Sequence, residues 1–131
     1  MNDRKLRVLV VDDERLIADT LAQILISFGY EATAVYNPDH ALEQFTRLRF
    51  DAVISDVVMR GYMSGIDLAI ALRTLVPDCN ILLISGNTAT EEFLKLAQSQ
   101  GYDFHVLAKP VHPTEILDRL KTMPGLDSSA G

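Results

Sequence analysis

The feature that most limits what this chain can become is an alternation. Short strand-like runs take turns with stretches in which apolar residues recur at helical spacing. Leu6 to Val11 is an apolar run ending in Asp12, Asp13 and Glu14, and Glu31 to Tyr36 alternates apolar and polar. Ala52 to Ile54 leads straight into Asp56, Asn80 to Ser85 ends on a hydroxyl, and Phe104 to Ala108 ends on Lys109-Pro110. Runs of this length, apolar on both faces, read as strands buried in a parallel sheet.

Between them lie five helical patterns. Leu16, Ile17, Leu21, Ile24, Leu25 and Phe28 give the first, stopped by Gly29. Asn37-Pro38 opens the second as N-cap and first helical residue, with Ala41, Leu42, Phe45 and Leu48 on one face. Ile66, Leu68, Ala69, Leu72 and Leu75 mark the third, closed by Pro77. Thr88 or Thr90 caps a fourth, with Phe93, Leu94 and Ala97 inward and Gly101 at its end. Pro113 starts the fifth, carrying Ile116, Leu117 and Leu120.

Each parallel connection needs a crossover, and crossovers are right-handed, so this alternation specifies a three-layer α/β domain. The expected fold is the flavodoxin-like (βα)5 arrangement, a parallel five-stranded sheet in the order 2-1-3-4-5. Strands 1 and 3 then meet at the topological switch point, where such sheets open a ligand crevice. We expect one domain over residues 1–123. Residues 124–131, PGLDSSAG, read as a flexible tail or linker stub.

Composition narrows the function. At 131 residues and 48% hydrophobic, the chain can bury a core without disulfides or a structural metal. A formal net charge of -6, with no Lys/Arg cluster, argues against a nucleic-acid surface. Cys79 is the single cysteine, which excludes an internal disulfide and a CxxC metal site and suits a reducing compartment, with inert packing as its role. No apolar run approaches the ~20 residues that span a bilayer, and the start of the chain lacks a signal-peptide core, so a cytoplasmic location without membrane contact is expected.

The expected strand order brings Asp12, Asp13 and Asp56 into one crevice, with Ser85 and Lys109 arriving from strands 4 and 5. Three adjacent carboxylates repel, so keeping them ionised calls for a cation. Oxygen-only ligands select a hard metal, and Mg²⁺ suits a site that must leave room for a phosphate oxygen. A carboxylate beside Mg²⁺, a lysine and a hydroxyl is equipped for phosphoryl transfer. Singly, each residue has a plainer reading: Asp12 and Asp13 as caps of helix 1, Asp56 and Ser85 as turn formers, Lys109 as a solvated charge. Together they would need five coincidences at one sheet edge.

At these residues the chain resembles the receiver domain of two-component response regulators, the CheY-like family. VVDDE, VISDVVM, LLISG and the Lys109-Pro110 pair carry the resemblance, which runs from about Lys5 to Met123. It implies a phosphoprotein of phosphorelay signal transduction rather than an enzyme. Asp56 would be the phosphoacceptor, served by a histidine kinase or histidine phosphotransfer protein. Asp12, Asp13, Asp56 and the Val58 carbonyl would hold Mg²⁺. Ser85 would be the switch hydroxyl and Lys109 the family's lysine, with a cis peptide before Pro110. The amides of Val58 and Gly86 would complete the phosphoryl cradle. Output would pass through helix 4, strand 5 and helix 5 to an unidentified output protein, and the same surface would serve a homodimer.

Three positions depart from the family pattern. Arg60 stands where a proline is usual, in a loop one residue longer before Gly65, and Val106 stands where an inward-swinging aromatic is common. Val58 lacks the polar group that could orient a hydrolytic water. The competing reading, a Mg²⁺-dependent aspartyl-phosphate phosphatase of haloacid dehalogenase type, needs a DxDxT pattern at strand 1 that VVDDERL lacks. A flavodoxin would need hydroxyls where Asp12 and Asp13 stand.

Overall fold

The computed structural model describes residues 5–86 and 90–123. Five strands, β1 (Arg7–Val11), β2 (Glu31–Val35), β3 (Ala52–Asp56), β4 (Asn80–Ser85) and β5 (His105–Ala108), alternate with five helices. These are α1 (Arg15–Ser27), α2 (Pro38–Phe45), α3 (Gly65–Leu75), α4 (Thr90–Ser99) and α5 (Pro113–Thr122). All strand pairs are parallel, in the order β2-β1-β3-β4-β5. The expected sheet is the observed one.

Strand alternation sorts the core into two layers. Leu9, Val11, Val53, Ile81 and Leu83 point to one face, under α2, α3 and α4, where Ala41, Leu68, Leu72 and Ala97 meet them. Val8, Val10, Ala52, Ile54 and Leu82 point to the other, under α1 and α5, against Leu25, Ile116, Leu117 and Leu120. Each fully buried leucine or isoleucine contributes roughly 1.5–3 kcal/mol of transfer free energy. That packing holds the strand ends, and therefore the crevice, in fixed register.

Several helix faces differ from expectation. α1 buries Ala18, Leu21, Ala22 and Leu25, a stripe whose two alanines let the helix lie close to the sheet. Leu16, Ile17 and Phe28 are left exposed. Leu16 and Ile17 lie in the first turn of a helix that begins beyond the end of β1, and Phe28 is the C-cap residue, turned away from the core. Leu48 lies past the end of α2, Leu75 ends α3 on the solvent side, and α4 touches the core through Leu94 and Ala97 while Phe93 stays exposed. Thr90 is the first residue of α4. Thr88 and residues 124–131 lie outside the described residues.

Local signals held elsewhere. Asn37 caps α2, its side chain accepting from the His40 N–H at 2.8 Å, and Pro38 is the first helical residue. Ser64 caps α3 by accepting from the Asp67 N–H at 3.1 Å. Cys79 is buried, and burial pushes its thiol up to about 12, so it is inert packing. Among the described residues no helix is long and apolar enough to cross a membrane.

Candidate functional site

The carboxyl ends of β1 and β3 lie side by side, with Val11 paired to Ser55, so the residues that follow project from one sheet edge. Asp56 closes β3 and is 8% exposed; Asp12 is 6% exposed and Asp13 half-buried. Carboxylate oxygens of Asp12, Asp13 and Asp56 all lie within 4.8 Å of one another. Asp12 Oδ1 accepts the Glu14 N–H at 2.9 Å, and Asp13 Oδ2 accepts the Arg60 N–H at 3.2 Å. Neither aspartate is the N-cap of α1; that position is Glu14.

Lys109 reaches across from the end of β5, placing Nζ 3.0 Å from Asp56 Oδ2. Its backbone N–H donates to the Ser85 carbonyl at 2.8 Å, which ties the last residue of β4 to the lysine. The Lys109-Pro110 peptide is cis, as the resemblance implies. At Gly86 an added Cβ would stand 3.2 Å from Lys109 Cδ, so the missing side chain leaves the path of the lysine stem clear.

The charges explain each other. Burial is the largest influence on Asp12 and raises its pKa; the Glu14 N–H opposes it, the Asp56 charge adds to it, and the net result is about 6. For Lys109 burial acts downward first. The hydrogen bond to Asp56 and the charges of Asp56, Asp12 and Glu14 outweigh it and hold the ammonium above its ordinary pKa. The crevice therefore holds more negative charge than it can neutralise with one lysine. A hard divalent cation fits this all-oxygen donor set.

Two supporting features were not anticipated from sequence. Gly65 N–H donates to the Val57 carbonyl at 2.7 Å, and a Cβ there would land on the Asp56 carbonyl oxygen, so only glycine fits. Beside Asp56 and Lys109, an apolar groove of about 370 Å³ runs between α1 and α5, lined by Leu16, Ile17, Ile24 and Val111 among others. This is where the exposed first turn of α1 belongs. The sequence hint for the α3 start was Ser64-x-x-Asp67, a cap followed by an acid three residues on. No comparable hint marked the groove.

A parallel 2-1-3-4-5 sheet with an acidic cluster and a lysine at its switch-point edge is the arrangement of a receiver-type signalling module. The profile of the response regulator receiver domain matches residues 8–121, and the chain belongs to that family. A response regulator receiver protein of Anaeromyxobacter sp. is 37% identical over 112 residues, covering 86% of this chain and 46% of that protein. The chain thus spans about half or less of the curated relatives it matches first. The chemotaxis protein CheY4 of Vibrio cholerae superposes with a TM-score of 0.81 at 29% identity, covering 92% of this chain and 99% of that one. TrrA of Thermotoga maritima, solved in complex with Mg²⁺-BeF, superposes with a TM-score of 0.77 at 29% identity over 90% of this chain and 98% of that one. The phosphatase reading gains no support from these relatives.

Proposed function

We propose that this receiver takes a phosphoryl group from a phosphohistidine, on a histidine kinase or phosphotransfer protein, onto Asp56. The observation that carries the reading is the ionic contact of Lys109 Nζ with Asp56 Oδ2 at 3.0 Å, beside two further aspartates. An Asp56 oxygen attacks phosphorus in line while the P–N bond to the donor imidazole breaks; the imidazole leaves with a proton and Asp56 becomes an acyl phosphate. Asp12, Asp13, Asp56 and the Val58 carbonyl would hold Mg²⁺. When bound, that ion supplies positive charge against the charge growing on the phosphoryl oxygens.

In this reading Lys109 exchanges its carboxylate partner for a phosphoryl oxygen, and the Ser85 hydroxyl and the Val58 and Gly86 amides take the others. Val106 is half-buried in the core cluster and His105, its neighbour on the strand, is exposed, so an imidazole cannot take over the aromatic position by a one-residue shift. Output then passes through Ser85, α4, β5 and α5 to a partner protein or second copy, without an aromatic swinging from position 106. The module acts in the cytoplasm, with residues 1–123 as its receiver domain and 124–131 as a tail or the stub of a linker, and this domain does not itself touch nucleic acid. Labelling with acetyl phosphate tests the reading: it requires Mg²⁺ and stops with EDTA. Labelling indifferent to EDTA would refute it.

A further inference from the structure

The β3–α3 loop carries a contact that the chemistry above leaves unused. Met59 to Tyr62 form a β-turn, closed by the Tyr62 N–H donating to the Met59 carbonyl at 3.2 Å, with Gly61 at a φ of +78° in the third position. A positive φ there is the mark of a type II turn, whose second residue makes no hydrogen bond within the turn and is a favoured place for proline. Here the second residue is Arg60, and its N–H donates to Asp13 Oδ2 at 3.2 Å. Proline could make the same turn but could not make this bond.

We propose that Arg60 is a positioning residue whose backbone N–H holds the Asp13 carboxylate in the cation site and so couples the β3–α3 loop to cation occupancy. The inference rests on the reading of Asp12, Asp13 and Asp56 as the Mg²⁺ site. Without a cation the three carboxylates repel, and Asp13, half-buried, is freer to swing toward water than Asp12 or Asp56. A hydrogen bond to a charged oxygen opposes that movement and is stronger than one between neutral groups. The loop is in turn anchored by buried Val57 and Met59, so Asp13 is held by a seated segment. Coupling of this kind is reciprocal: cation binding steadies the loop, and a partner that steadies the loop tightens the cation by the same factor.

The test compares Mg²⁺ affinity, by calorimetry on the full chain, for wild type, Arg60→Ala and Arg60→Pro. Arg60→Ala keeps the N–H and should bind within about twofold of wild type; Arg60→Pro keeps the turn, loses the donor, and should bind roughly five- to tenfold more weakly. Equal affinity in all three overturns the proposal while leaving the metal site standing. Equal losses in both variants would assign the effect to the side chain and also overturn it. Wild type that binds no Mg²⁺ defeats the metal reading itself. A measurement on wild type needs no proline: during Mg²⁺ titration the Arg60 amide resonance should shift with the same midpoint as the calorimetric isotherm, and Asp13→Ala should speed its hydrogen exchange. An Arg60 amide indifferent to both overturns the proposal even if Arg60→Pro fails to fold.

Discussion

Replacing Asp12 by asparagine should stabilise the metal-free protein, although it removes a residue of the site. The folded pKa of Asp12 is raised from 3.8 to about 6, chiefly by burial. Below pH 3.8 the group is neutral in both states and costs nothing. Between 3.8 and 6 the unfolded chain ionises while the folded one resists, so stability falls as pH rises; above 6 the full penalty is present. At ~1.4 kcal/mol per pKa unit the penalty is on the order of 3 kcal/mol at pH 7.5. Asparagine stays neutral and keeps an oxygen for the Glu14 N–H, so Asp12→Asn should recover about 2–3 kcal/mol at pH 7.5 and almost none at pH 4. Urea unfolding in EDTA, followed by circular dichroism, reads this as a midpoint raised by about 1 M or more at the higher pH. Mg²⁺ should then stabilise wild type far more than the variant. A lower midpoint at pH 7.5, or an equal change at both pH values, would show that burial of the Asp12 charge carries no such penalty.

Gly65→Ala should cost about 3 kcal/mol, because the new methyl meets the Asp56 carbonyl oxygen and neither backbone can retreat cheaply; thermal unfolding reads the loss, and an unchanged midpoint would show that the loop yields. Val58→Asn should quicken loss of the phosphoryl group, since Val58 is 53% exposed beside the site and its methyls cannot orient an attacking water; decay of labelled protein in excess Mg²⁺, with donor removed, checks it. Lys109→Ala should leave Asp56 without its cation and cut the labelling rate by about a hundredfold or more, measured with acetyl phosphate, while far-ultraviolet circular dichroism stays native.

Much of this was readable in the residues because the governing signals are local. A strand buried on both faces must be apolar throughout, so Ala52–Ile54 and Ile81–Leu83 announced themselves, and the polar residues after them marked the crevice. Asn37-Pro38 encodes its own cap. Helix facing was less legible at the ends: Leu16 and Ile17 fit the apolar period, but α1 outruns the sheet there, and only the three-dimensional end of β1 determines that they border a groove. Phe93 misled for a related reason, since among the described residues α4 rests on the core through Leu94 and Ala97. The Arg60 contact with Asp13 joins residues 47 positions apart through a backbone N–H, which no side-chain pattern can signal.

Whether Asp56 accepts the phosphoryl group can be read by chemical mapping. After phosphorylation with acetyl phosphate and Mg²⁺, borohydride reduces an aspartyl phosphate to homoserine, and peptide mass spectrometry locates the changed residue. The expected result is homoserine at position 56 in wild type and none in Asp56→Asn. Homoserine at position 12 or 13, or undiminished labelling of Asp56→Asn, would contradict the account.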